Sequence, residues 1–256
     1  MSTESLTAAF SAAARPEITT DPGRSVGVLL CHGFTGSPAS MRPWAEALAE
    51  RGYGVEVPLL PGHGTTWQEM NATGWADWHA AVEQAFARVR AAHDVVVVAG
   101  LSMGGALALR MTIDHPDDVA GVVLVNPGIN STNKQLLALP VLKWLLPSMP
   151  AIGNDIKKAG ADEHGYDRTP LKALSSMLDG WKQLRADLAR VRVPVQVFKS
   201  VDDHVLDPSS VQLITQHIPT AEVTLLHDSF HVATIDNDAQ QIFDDSAAFI
   251  RSVTGV

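Results

Sequence analysis

The chain has 256 residues, 46% of them hydrophobic and 18% charged, with 19 glycines and 15 prolines. A disordered chain needs far lower hydrophobicity, and a domain of this length buries a full core without staples. Nineteen Lys and Arg against 28 Asp and Glu leave a net charge of −9, which repels phosphate backbones and sets nucleic acid aside as a partner. The single cysteine excludes an internal disulfide.

Residues 1–24 carry neither the basic stretch nor the apolar stretch of a signal peptide, and are expected to form a loosely ordered lead-in to a domain spanning 25–256. No window approaches the ~18 consecutive apolar residues of a membrane span, so a soluble, cytoplasmic protein is expected. The first predicted strand, Val26–Cys31, is a continuous apolar run in which Cys31 is expected to be a buried, inert thiol. It leads into His32-Gly33-Phe34-Thr35-Gly36-Ser37-Pro38, whose glycines let the backbone turn at the edge of a sheet where ligands of α/β folds bind. A predicted helix over Pro38–Glu50, a strand over Gly54–Val57, the loop Pro61-Gly62-His63-Gly64 and a helix over Trp75–Ala92 follow.

Strand Val95–Ala99 runs into Gly100-Leu101-Ser102-Met103-Gly104-Gly105, and a helix is predicted over Ser102–Asp114. This is G-x-S-x-G in the strand–turn–helix setting that makes Ser102 a candidate nucleophile. A sharp turn strains the serine backbone and lifts its hydroxyl above the sheet, and the glycines let strand and helix approach closely. The new helix points unpaired N–H groups and its positive dipole end at the same place. Acyl transfer to such a serine needs two backbone N–H groups aimed at the developing oxyanion, one just after the nucleophile and one from an earlier loop. Met103 and Phe34 occupy those positions. His32 precedes the nucleophile and is expected to fix the loop.

After the predicted strand Val119–Val125, some sixty residues pass before the next, Val195–Lys199; a crossover needs only about a dozen. The segment, at about 127–190, holds the apolar run Leu136–Met149, a polar stretch from Asn154 to Arg168, and a helical pattern from Pro170 to Ala189. It is expected to be a small helical cap over one edge of the sheet. The apolar run could pack on the main domain, line a pocket or meet a lipid surface. Continuous Val/Leu strands alternating with amphipathic helices imply a doubly wound, mostly parallel α/β fold.

The motif's chain order is nucleophile, acid, base. The acid is sought in Ser200-Val201-Asp202-Asp203-His204-Val205-Leu206-Asp207-Pro208, after strand Val195–Lys199. Asp203 has the best reach, Asp202 competes closely, and Asp207 is placed to cap the predicted helix Pro208–His217. The base follows the last predicted strand, Val223–Leu226, where His231 is preferred to His227 and precedes a final helix over Ala239–Val253. These two histidines also have a metal-ligand spacing, but no third ligand accompanies them, and neither metal nor organic cofactor is expected.

With these residues assembled, the chain resembles the bacterial carboxylesterases and monoacylglycerol lipases of the α/β-hydrolase superfamily. The likeness rests on His32–Pro38, Pro61-Gly62-His63-Gly64, Gly100–Gly105 and Ser229-Phe230-His231-Val232-Ala233-Thr234. It implies Ser102 as nucleophile, Asp203 as acid, His231 as base, and Phe34 and Met103 as oxyanion donors. It further implies a cap covering an acyl-chain pocket, with Glu163 as the acidic residue that holds glycerol hydroxyls. A small lipid ester is the implied substrate, cleaved through an acyl-enzyme. Peptidases, carbon–carbon bond hydrolases and acyltransferases keep the same triad, and a non-catalytic binding protein of this fold would be expected to lack one of its members.

Overall fold

A computed structural model describes residues 3–19 and 23–256. The first half comprises α1 (Thr3–Thr7), β1 (Phe10–Ala12), β2 (Val26–Cys31), α2 (Arg42–Glu50), β3 (Gly54–Val57), α3 (Trp67–Met70), α4 (Trp75–Ala92), β4 (Val95–Leu101), α5 (Met103–Asp114) and β5 (Val119–Val125). The second comprises α6 (Leu139–Leu145), β6 (Ser148–Pro150), β7 (Arg168–Pro170), α7 (Leu171–Asp187), β8 (Val195–Ser200), α8 (Ser209–His217), β9 (Ala221–Leu226) and α9 (Ala239–Thr254).

Seven strands form one sheet in the order β1-β3-β2-β4-β5-β8-β9, parallel except for β1. Side-chain alternation along the buried strands divides the interior into two cores. Leu29, Val96, Val98, Val122 and Leu124 face α4, α5 and α7, whereas Val28, Leu30, Val97, Ala99 and Val123 face α2 and α9. Both faces are therefore covered, which is why these runs lack polar alternation. The chain moves outward from β2 to β3, then returns to β4 and continues the other way. The carboxyl ends of β2 and β4 are thus the switch point of the sheet, where open α/β folds bind ligands.

The lead-in departs from expectation. Residues 1, 2 and 20–22 lie outside the described residues, but Thr3–Thr7 is helical, and Phe10, Ser11 and Ala12 pair antiparallel with Val57, Glu56 and Val55. The short alternating run supplies an edge strand, and the Arg42 guanidinium lies over the Phe10 ring at 4.8 Å. The inserted segment also differs from a wholly helical cap. Ser148–Pro150 and Arg168–Pro170 form a two-stranded antiparallel hairpin, tied by Arg168 Nε donating to Ser148 Oγ at 2.7 Å. Helix α7 buries Ala173, Met177, Trp181 and Leu184 in the main core, so it is part of the domain as much as a cover. Helix α6 buries Leu139 but leaves Trp144 73% and Leu145 71% exposed. Among the described residues no helix is long and apolar enough to cross a membrane.

At the switch point the first turn of α5 lies against strand ends with no side chain between. A Cβ on Gly104 would sit 1.9 Å from the Cys31 carbonyl oxygen, and one on Gly100 would sit 2.2 Å from the Gly104 carbonyl. Cys31 itself is wholly buried, and burial pushes its thiol up to about 12, as an inert core cysteine requires. Because the obstruction at Gly104 is backbone, Gly104→Ala must shift helix or strand. We expect it to cost about 3 kcal/mol in urea unfolding; a loss under about 0.5 kcal/mol would show that the helix start is not held by this contact.

Candidate active site

Ser102 stands between β4 and α5 with φ 54° and ψ −118°, a conformation that side-chain-bearing residues seldom adopt. Backbone hydrogen bonds hold it there: Ser102 N–H donates to Val125 O, and Gly105 and Gly128 N–H donate to Ser102 O, each at 3.0 Å. Met103 opens α5, so its N–H has no intrahelical acceptor. Facing it, the loop after β2 passes so close that a Cβ on Gly33 would lie 3.5 Å from Ser102 Cβ. Phe34 packs edge-on against Trp78 at 5.9 Å, and Thr35 takes φ 62° while its carbonyl accepts from Tyr166 N–H at 3.1 Å.

His231 follows β9 in a loop that leans back over the sheet. Its Nδ1 donates to Asp203 Oδ1 at 3.0 Å and Oδ2 at 3.1 Å. Asp203 Oδ1 also accepts from Val205 and Leu206 N–H at 2.9 Å, and Oδ2 accepts from Lys199 Nζ. Burial would raise the Asp203 carboxyl, but the neighbouring His231 and Lys199 charges and hydrogen bonds outweigh it and hold the group well below the usual carboxylate range. Asp202 is exposed at the rim, and so is His227. Asp207 accepts from Ser209 N–H at the start of α8 and from Thr132 in the cap, both at 2.9 Å; it ties loops together and does not contact His231.

Three polar residues that the sequence reading passed over, Asn126 and Asp236 buried and Asp155 half-buried, hold the loop of His231 in place. Asn126, at φ 41° just past β5, donates to Ser200 Oγ at 2.9 Å and to His231 O at 2.8 Å, and accepts from Ser200 N–H. Asp155, in the cap, accepts the His231 N–H at 3.1 Å and the His204 ring at 2.8 Å. Asp236 accepts the N–H groups of Phe230, Lys157 and Lys158 at 2.8–2.9 Å. An Asn ending an all-apolar strand was the one sequence sign of this network; the two aspartates lay among many others.

Ser102, His231 and Glu163 line one cavity of about 310 Å³. Its far wall is apolar, with Leu136, Leu174, Met177, Leu178 and Trp181. Glu163 reaches it from the loop between β6 and β7, its Oε1 accepting from Asn154 N–H at 2.7 Å while Asn154 Oδ1 accepts from Glu163 N–H at 2.9 Å. Burial pushes the Glu163 carboxyl up, Asp162 and Asp155 add to this, and the Asn154 N–H and His231 oppose it. The cavity brings together Ser102, Phe34, Glu163 and His231, with Asp203 behind His231; Met103 lies just below Ser102, fully buried. His79, Glu83 and Asp114 form a group that could hold a metal ion, but none of them lines this cavity, and Arg110 already engages Asp114.

A mostly parallel sheet, a strained serine between strand and helix, and a carboxylate-bound histidine after the last strand are the features of an α/β-hydrolase. The family model described as serine aminopeptidase, S33, matches residues 24–238. The chain is 38% identical over 233 residues to a thermostable monoacylglycerol lipase of Bacillus sp. (strain H-257), covering 90% of this chain and 92% of that protein. It is 25% identical over 241 residues to a carboxylesterase of Bacillus subtilis (strain 168), covering 93% and 97%. A solved structure from work on LipS and LipT, two metagenome-derived lipolytic enzymes, superposes with a TM-score of 0.89 at 36% identity, covering 96% of this chain and 98% of that one. The chain belongs to the carboxylesterase and monoacylglycerol lipase family of the α/β-hydrolase superfamily, a family of carboxylic ester hydrolases.

The loop carrying Phe34 is fixed by histidines kept neutral. His32 Nδ1 donates to Gly33 O at 2.9 Å and its Nε2 accepts from Leu60 N–H at 3.2 Å, which sets the tautomer. His63 packs edge-on against it at 4.9 Å and donates to Pro61 O at 3.1 Å. Burial lowers His32 to about 4, against the pull of the Gly33 carbonyl; burial and then the His32 charge hold His63 well below its ordinary 6.5. The unfolded chain therefore binds more protons below pH 6.5, so this stability is complete above that pH and drains away as pH falls toward 4. Together the two set a slope of up to about 2.7 kcal/mol per pH unit. Urea midpoints between pH 6.5 and 4.5 should show it, with His63→Gln removing about half; an unchanged slope in that variant would mean His63 is already charged in the native protein.

Proposed function

We propose that this chain hydrolyses carboxylic esters of small, uncharged lipids, monoacylglycerols foremost. The observation that carries the reading is one cavity holding a strained serine, a carboxylate-bound histidine and a long apolar wall. Ser102 Oγ attacks the ester carbonyl as His231 Nε2 takes its proton. Asp203 keeps the proton on Nδ1 and stabilises the imidazolium. The N–H groups of Phe34 and Met103 receive the oxyanion. His231 returns the proton to the leaving alcohol, and water then hydrolyses the acyl-enzyme by the same route. The acyl chain takes the apolar wall, and Glu163 at the polar end holds the glycerol hydroxyls. Leu136 and Ile152 line the cavity, and Ile152, Leu137, Val141 and Trp144 are exposed; these apolar side chains are where a lipid surface would dock.

One observation favours a second reading. The matched family model is described as an aminopeptidase, and Glu163 could pair with a substrate ammonium. Its raised carboxyl and the apolar wall suit a neutral ester better.

Labelling with a fluorophosphonate should give one adduct, on Ser102, suppressed by a monoacylglycerol. Ser102→Ala should lower kcat on the order of a millionfold; residual activity within tenfold of the native enzyme would remove Ser102 from the role. Glu163→Ala should raise KM for a monoacylglycerol about tenfold, the worth of one hydrogen bond to a charged group, while kcat/KM for a p-nitrophenyl ester stays within about threefold. Equal losses on both esters would take the glycerol role from Glu163, and faster turnover of aminoacyl anilides than of esters would favour the peptidase reading.

A further inference from the structure

Lys199 is the fifth residue of β8, in a strand that also buries Val195, Val197, Phe198 and Ser200, and it is only 8% exposed. A lysine is seldom buried without a partner. Here the ammonium donates to Asp203 Oδ2 and, at 3.1 Å, to the Leu206 carbonyl. The Asp203 side chain is 1% exposed and presents both oxygens to His231 Nδ1. The carboxylate that orients the base therefore divides its charge between an imidazole in front and a permanent cation behind.

We infer that Lys199 is a positioning residue for the reaction at Ser102: it fixes the Asp203 carboxylate and, by sharing its charge, sets the pH below which His231 ceases to act as base. The inference rests on the hydrolase reading above. A carboxylate in contact with an imidazole favours its protonated form, and a cation beyond that carboxylate opposes it. The other charged groups around His231 pull the opposite way. Asp155 holds its N–H and Glu163 faces it across the cavity, both from the cap, and Asp236 grips its own loop. Asp202 and His204 lie at the exposed rim, where Asp155 holds the His204 ring, and Lys157 is engaged by Asp228. Lys199 is thus the buried positive charge set against a ring of carboxylates. Without it the imidazole would keep its proton to higher pH and could not accept one from Ser102 Oγ. A buried ion pair on its own is weak ground for stability; this pair earns its place through its position directly behind the base's partner.

The test is the pH profile of kcat/KM for p-nitrophenyl butyrate between pH 4.5 and 9, measured on the native chain, Lys199→Met, Lys199→Gln and Lys199→Arg. Loss of the charge in Met or Gln should move the acid limb up by about one pH unit, and Arg should return it close to the native position. Gln keeps a donor for Asp203, so it reports the charge even if Met does not fold. An unmoved limb in either folded neutral variant would overturn the inference and leave Lys199 a structural pair, whatever happens to kcat. Rates of Ser102 labelling by the fluorophosphonate over the same pH range should show the same displacement. If the native chain neither turns over the ester nor labels at Ser102, the hydrolase reading fails and the role of Lys199 falls with it. Labelling with an unmoved limb overturns the role of Lys199 alone.

Discussion

Where α5 begins, its backbone rests on the ends of β2 and β4 with only Gly104 and Gly100 between, and the geometry of the site follows from that approach. The turn into the helix must be completed within a residue, which forces Ser102 to φ 54°. A conformation of this kind costs about 1–3 kcal/mol. The helix that imposes it buries Leu107, Leu109, Met111 and Ile113, each worth about 1.5–3 kcal/mol, so packing carries the strain with a margin. The same approach brings the Gly33–Phe34 turn within van der Waals reach of Ser102. The strained turn at Ser102 and the nearness of the Gly33 loop are therefore consequences of one close-packed junction.

Around that junction the charges are uneven. Asp155, Asp162, Glu163, Asp202, Asp203 and Asp236 gather near His231, against Lys157 and Lys199. Two of the carboxylates do backbone work: Asp155 accepts the His231 N–H, and Asp236 accepts those of Phe230, Lys157 and Lys158. The resulting field favours neutral ligands over anionic ones.

Most of the fold and the heart of the site could be read from the sequence because both are written in short-range signals. Uninterrupted Val runs declare buried parallel strands, and G-x-S-x-G after one of them declares the elbow. Asp203 and His231 followed from chain order, and the structure joins them at 3.0 Å while leaving Asp202 exposed. What escaped depends on long-range pairing. Phe10–Ala12 is too short to declare a strand and gains its identity from β3, about 45 residues away by the register Phe10 to Val57. Met149 and Thr169 pair across a loop that no turn motif marks. Lys199 reads as an exposed residue until the Asp203 carboxylate is placed behind it. Asn126, Asp155 and Asp236 satisfy backbone groups whose need exists only in the folded chain.

The segment between β5 and β8 is divided in its attachments. Its polar half is bound on several sides: Tyr166 N–H donates to Thr35 O, the Tyr166 hydroxyl donates to Gly62 O at 2.7 Å, and Asp155 holds the loop of His231. Its apolar half, around α6, buries Leu139 and is tied by Lys143 donating to Ser175 Oγ at 2.9 Å, with most of its large side chains exposed. Regions with few buried contacts open at lower free energy than those that are pinned. With Glu163 in the pinned half and Leu136 in the looser one, the cavity has two kinds of wall. One is a carboxylate held by a hydrogen bond from Asn154 N–H. The other is made of apolar side chains held mainly by dispersion.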